Sequence, residues 1–97
     1  MLPSEILSDP SKWTRNTYAR SSNGDPCDVQ SGTCFCMYGA AKACGMDVVP
    51  FSDKLAALIR ARYPQRMDDE YDAIVSFNDH PDTTYEEVIA ILKEVGL

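Results

Sequence analysis

Four cysteines and a single histidine are the residues of this sequence best suited to bond-making chemistry or metal binding. Cys27, Cys34, Cys36 and Cys44 follow the spacing C-x6-C-x-C-x7-C. Structural zinc draws its ligands from tight C-x2–4-C or H-x3–5-H pairs, because neighbouring ligands must converge on a tetrahedral ion from one turn. This spacing supplies neither pair, and if Cys34 and Cys36 lay on one helix they would point about 200° apart. No metal and no cofactor is expected. Cys36 and Cys44 are too far apart along a helix to be bridged, which leaves Cys27 with Cys34 as the one local disulfide that spacing permits. The simplest account of all four is as small core hydrophobes, the usual role of free cysteine.

A cysteine nucleophile is the sharper alternative. In Gln30-Ser-Gly-Thr-Cys34-Phe-Cys36 two thiols stand at the start of an apolar run that predicts a helix, and the positive end of a helix dipole favours a thiolate. The order of Gln30 upstream and His80 downstream resembles a small papain-like hydrolase or transferase, with Cys34 or Cys36 as nucleophile, His80 as base and Gln30 helping to form an oxyanion hole. His80 is the only histidine, so every such mechanism must use it. Against this, His80-Pro81 between two helices reads as a loop, and Asn78-Asp79 as residues that shape the link to the next helix.

Carboxylates form the third group. Residues 1–66 carry eight basic and six acidic side chains, net +2, whereas residues 67–97 carry one basic and nine acidic, net −8. Asp68, Asp69, Glu70, Asp72, Glu86 and Glu87 are the candidate binding residues of this acidic third. The run lacks the alternating oxygens and the glycine of a calcium loop, and the sequence has no phosphate-binding glycine loop, serine elbow or HExxH motif. A formal charge of −6 argues against direct binding of nucleic acid. Acidic helices instead suit a protein partner with a basic surface, because charge steers encounter and selects the partner.

These side chains must be positioned by one domain. Ninety-seven residues, 44% of them apolar and 25% charged, with no repeat or linker, make a single compact domain over residues 1–97, large enough to bury roughly two thirds of its surface. Met1-Leu-Pro-Ser-Glu5 lacks the basic start and apolar stretch of a signal peptide, so a cytoplasmic location is expected, away from membranes. Asp9-Pro10 predicts a short helix carrying Trp13 inward. Thr17–Arg20 and Cys27–Gln30 predict a small hairpin around Asn23-Gly24. Thr33–Cys44, with Lys42 its only charge and Gly45 behind it, predicts a buried central helix. Ser52 predicts the cap of a helix to Tyr63, ended by Pro64. Asp68–Glu70 predicts the start of the next helix, with Tyr71, Ile74, Val75 and Asn78 on one side. Thr83 or Thr84, each three residues ahead of a glutamate, predicts a capping box for a last helix that buries Val88, Ile89, Leu92 and Val95. The expected class is therefore mainly helical α+β: about four helices around a buried central helix (33–44), with a short N-terminal β-hairpin.

From Trp13 onward the ordered set Tyr18-Ala19-Arg20, Gly24, Cys36-Met-Tyr-Gly39-Ala40, Ile74-Val75-Ser-Phe77-Asn78-Asp79 and Glu87-Val88 resembles a family of small uncharacterised proteins of bacteria and bacteriophages, a domain of unknown function. The resemblance implies a compact helical fold and a mobile-element origin, and no reaction. The expected function is accordingly that of a small non-enzymatic interaction protein of phage type. It would bind a host protein in the host cytoplasm through its acidic surface, by analogy as an anti-defence (anti-CRISPR-like) inhibitor. Its oligomeric state is left open.

Overall fold

The run Thr33-Cys34-Phe35 sets the architecture. In the computed structural model, which describes residues 1–66 and 72–97, these residues are extended rather than helical. Strand β1 (Ala19–Arg20) pairs antiparallel with β2 (Cys34–Phe35), Ala19 opposite Phe35 and Arg20 opposite Cys34. Cys36 is still extended, and the central helix α2 covers only Met37–Ala43. The expected start at Thr33 is thus corrected by four residues, because Cys34 and Phe35 are held by the ladder to β1.

The expected antiparallel strand pair forms, with its second strand at Cys34–Phe35 instead of Cys27–Gln30. The expected turn forms: Gly24 has φ +85°, its N–H donates to Ser21 O at 2.9 Å, and Ser21 N–H donates to Asp25 O at 2.8 Å. The strand expected directly after it does not form. Arg20 makes a single bridge to Pro26, which has no N–H to extend a ladder, and Val29–Ser31 coils into a 3₁₀ turn. The long-range strand β2 takes the pairing instead. Pro26 and Cys34 therefore lie on opposite sides of β1, about 10 Å apart at two strand spacings, too far for Cys27 and Cys34 to be bridged without movement. All four thiols are free.

Five α-helices are found among the described residues, as many as expected but with an unexpected first one: α1 (Pro3–Ile6), α2, α3 (Val48–Arg62), α4 (Ala73–Asp79) and α5 (Tyr85–Glu94). Asp9 caps only a 3₁₀ turn, Pro10–Lys12, accepting from Ser11 N at 2.9 Å. Helix α3 begins earlier than Ser52 because Asp47 caps it, accepting from Val49 N at 3.0 Å. Pro50 sits in its first turn, where its missing N–H leaves no intrahelical bond unmade. Phe51 is thereby brought into the helix and buried. Asp72, rather than the run Asp68–Glu70, caps α4, accepting from Ile74 N at 2.8 Å; Asp68, Asp69, Glu70 and Tyr71 lie outside the described residues. The capping box of α5 forms on Thr84 and Glu87 as expected, and Gly96 at φ +81° follows the helix. No helix among the described residues is long and apolar enough to cross a membrane.

Helices α3, α4 and α5 enclose Leu55, Ile59, Ile74, Phe77, Val88 and Leu92, and α2 adds Met37, Ala40 and Ala41 to the same core. Val75 departs from the expected stripe: it is 37% exposed while Ile74 and Phe77 are at 0%, because the inner face of α4 runs through Ile74, Phe77 and Asn78. The fold is mainly helical α+β, with one short antiparallel strand pair among the described residues.

Glu87 does more than cap. Its Oε1 accepts from Thr84 N at 2.9 Å and from the Arg66 guanidinium at 2.6 Å. Burial alone would raise its pKa, but the bonds from Arg66 and Thr84 outweigh it and hold the carboxyl below its ordinary value. A carboxyl whose pKa is lowered by folding stabilises the protein at neutral pH, and that contribution is lost as pH falls through the folded value. Glu87→Gln should therefore cost about 1 kcal/mol at neutral pH, with the gap from the parent closing on acidification. Thermal melts of both proteins along a pH series check this, and a gap that widened in acid would contradict it.

Candidate functional site

The N-terminus of α2 is where the distinctive residues of the sequence meet. Cys36 is its N-cap, and the sulfur accepts from Gly39 N at 3.3 Å. Cys36 N–H donates to Tyr18 O at 3.1 Å, so the segment before β1 lies directly against the first turn of α2. Gly39 makes this approach possible: a Cβ there would stand 1.9 Å from Tyr18 O. From the other side, Asn78 of α4 reaches in. Its Oδ1 accepts from Met37 N at 3.0 Å and from the Trp13 indole N–H at 2.9 Å; its amide donates to Thr14 O at 3.1 Å and to Asp79 Oδ1 at 2.9 Å. Asp79 Oδ1 also accepts from Asn16 N at 2.9 Å. Asn78 is 2% exposed, and every hydrogen-bonding site on its side chain is used.

That joint decides the state of the thiol. Burial pushes the Cys36 pKa up, the backbone N–H groups of Gly39 and Tyr38 pull it down, and nearby Asp79 adds to the rise; the net direction is upward. For Cys36 this opposes the thiolate that the helix dipole alone would favour. A helix of two turns with a desolvated cap holds a protonated thiol rather than a thiolate.

Beside the joint opens a cleft of about 280 Å³. Asn16, Thr17 and Tyr18 form one wall, Cys36, Met37 and Tyr38 the second, and Ile74, Val75, Asn78 and Asp79 of α4 the third. Of the lining residues Tyr18 is 51% and Val75 37% exposed. The Tyr38 hydroxyl donates to Asp72 Oδ2 at 2.7 Å, and burial together with that carboxylate pushes its pKa far up, so it stays a donor. The cleft thus has apolar walls, two tyrosines and one carboxylate, Asp79, a lining suited to binding rather than proton transfer.

The candidate enzyme residues are distributed differently. Cys34 lies on β2, its sulfur 4.0 Å from Arg20 O. Gln30 is exposed on the Val29–Ser31 turn. His80 caps the end of α4, and its Nδ1 accepts from Asp82 N at 3.1 Å. Among the described residues no hydrogen bond joins Gln30, Cys34, Cys36 or His80 to another of the four. Of the acidic set, Asp72 and Glu87 cap helices, while Glu86 is exposed on α5.

The family of unknown function DUF6197 matches residues 4–96, nearly the whole chain. The chain belongs to that family. No curated protein and no solved structure matches it. Within this DUF6197 chain the two clearest motifs, Cys36-x-x-Gly39 and Phe77-Asn78-Asp79, form one joint: the first turns the chain into α2, and the second ties α4 to that turn and to Trp13–Asn16. Tyr18, Tyr38 and Val75, which line the cleft, were not singled out by the sequence as a site. The one available signal was Val75, an apolar residue next to Ile74 on a helix with only one inner face.

Proposed function

We propose that this chain is a small non-enzymatic interaction protein, of the phage or mobile-element type, that binds a host protein presenting a basic surface in the host cytoplasm. One observation carries the proposal: Cys36 and several of the polar side chains singled out by the sequence hold the fold together. Cys36 caps α2, Asn78 and Asp79 hold Trp13 to Asn16, and Asp72 and Glu87 cap α4 and α5. Exposed carboxylates at Asp82 and Glu86 remain on the acidic third of the chain, where they can steer a cationic partner. Interference with a defence protein, by occupying a groove that otherwise holds nucleic acid, is the form such binding would take in a phage-encoded chain. It needs no direct contact with nucleic acid.

Two measurements test this. In a pull-down from bacterial lysate, the parent should retain a partner that the double variant Asp82→Lys/Glu86→Lys loses. Association measured with that purified partner should slow as salt screens charges beyond about 8 to 10 Å. Equal association of parent and variant at low and high salt would end the acidic-surface proposal. For the cysteine-hydrolase alternative, iodoacetamide at neutral pH should modify the partly exposed Cys27 and Cys34 before Cys36. Selective labelling of Cys36, abolished by His80→Ala, would favour the enzyme instead.

A further inference from the structure

The cleft between Tyr18, Tyr38 and α4 lies on a different element from Asp82 and Glu86, and its chemistry is more specific than an acidic surface. Its volume, about 280 Å³, falls just below the roughly 300–1,000 Å³ of small-molecule sites, the scale of one long side chain. Apolar atoms line it, with Met37 and Ile74 fully buried. Val75 is 37% exposed on a helix whose other large apolar residues are at 0%, and Tyr18 is 51% exposed, so apolar and aromatic surface is left open at the mouth.

Charge identifies the occupant. Asp79 lines the cleft, and while its Oδ1 accepts from Asn16 and Asn78, its Oδ2 has no hydrogen-bond partner among the described residues. Asp72 stands at the other end of α4, about 10 Å away along the helix axis, behind the Tyr38 hydroxyl. Lys42 Nζ lies 4.2 Å over the Tyr18 ring, so that ring already takes a positive charge on one face. Among the described residues that line the cleft Asp79 alone carries a formal charge, so the lining is net negative.

We propose that this cleft receives an arginine side chain of the partner protein, its alkyl stem along Tyr38 and Val75 and its guanidinium between Asp79 and Tyr18. The proposal rests on the reading that the partner presents a basic surface, and it names the residue that the partner inserts. Arginine fits better than lysine because a guanidinium is planar, weakly hydrated and able to stack on a tyrosine ring, whereas an ammonium keeps its water.

The test uses the isotopically labelled full chain titrated with N-acetyl-arginine methylamide and with its neutral isostere, N-acetyl-citrulline methylamide. The arginine probe should give saturable amide shifts at Tyr18, Val75 and Asp79, with affinity at least about fivefold above the citrulline probe. Asp79→Asn keeps the Oδ1 acceptor for Asn16 and removes the charge, so the two probes should bind it equally. Lys42→Met removes the competing cation and should tighten the arginine probe. No shifts at the cleft, or equal affinity of the parent for both probes, overturns the proposal. So does a captured partner that is lost with Asp82→Lys/Glu86→Lys but indifferent to Asp79→Asn, an outcome that leaves the basic-partner reading standing. Conversely, cleft binding of arginine with a partner indifferent to the double charge reversal removes the acidic-surface reading and keeps the cleft.

Discussion

Gly39→Ala should lower the stability of this domain by about 2 to 3 kcal/mol, although alanine is the better helix former by about 1 kcal/mol. The two effects oppose each other, and geometry decides between them. The added methyl would lie 1.9 Å from Tyr18 O and 2.9 Å from its carbonyl carbon. Both are backbone atoms fixed by the bond from Cys36 N, so no flexible side chain can swing aside. Either α2 lifts from the segment before β1, or the Cys36–Tyr18 bond breaks. The loss corresponds to a fall in melting temperature on the order of 10–20 °C for a domain of this size. Ala43→Gly, at an exposed position on the same helix, measures the propensity difference alone and should cost about 1 kcal/mol. Denaturant midpoints of both variants check the expectation. Gly39→Ala at or above parental stability would mean that α2 does not rest on Tyr18.

Local signals in the sequence located the pieces well where the governing interaction is itself local. The Thr84–Glu87 box, the turn at Gly24 and the end of α3 before Pro64 all depend on residues within four positions, and all lie where the spacing puts them. The small residues Gly39-Ala-Ala allow a helix to pack close to backbone. What they could not show is the surface approached, Tyr18 O, twenty-one residues away. Strand β2 failed for the same reason: Cys34-Phe35 is adjacent to a helix-forming run, and only pairing with Ala19-Arg20 makes it extended. Asn78-Asp79 was read as shaping its own loop, whereas Asn78 lies within α4 and bonds Trp13, 65 residues distant. The acidic set divides along the same line. Glu87 was recognisable as a cap, but Asp72 became one only because α4 begins at Ala73.

Asn78→Leu should be the most damaging polar-to-apolar change in the protein, costing roughly 3 to 5 kcal/mol, because removing one partner leaves each buried group bare at about 1 to 3 kcal/mol. Met37 N–H belongs to the first turn of α2, where no carbonyl of the helix can take it, so Asn78 Oδ1 is its partner. The Trp13 indole N–H loses the same oxygen, and Thr14 O loses the amide. A total of this size approaches the lower end of the 5–15 kcal/mol that holds an ordinary domain together, so the variant should be partly unfolded at 37 °C. Asn78→Asp separates the two halves of the amide. It keeps oxygen acceptors for Met37 and Trp13 but sets a carboxylate beside Asp79, and burial with that neighbour raises the new group's pKa in the folded state. Its deficit against the parent should therefore grow as pH rises above the ordinary carboxylate range and shrink in acid. Trp13 is the single tryptophan, which makes its fluorescence a direct report on the joint. In a double-mutant cycle Trp13→Phe and Asn78→Leu should be less than additive, with a coupling of about 1 kcal/mol or more, because each removes the same bond. Strict additivity would mean that the indole is held by something other than Asn78.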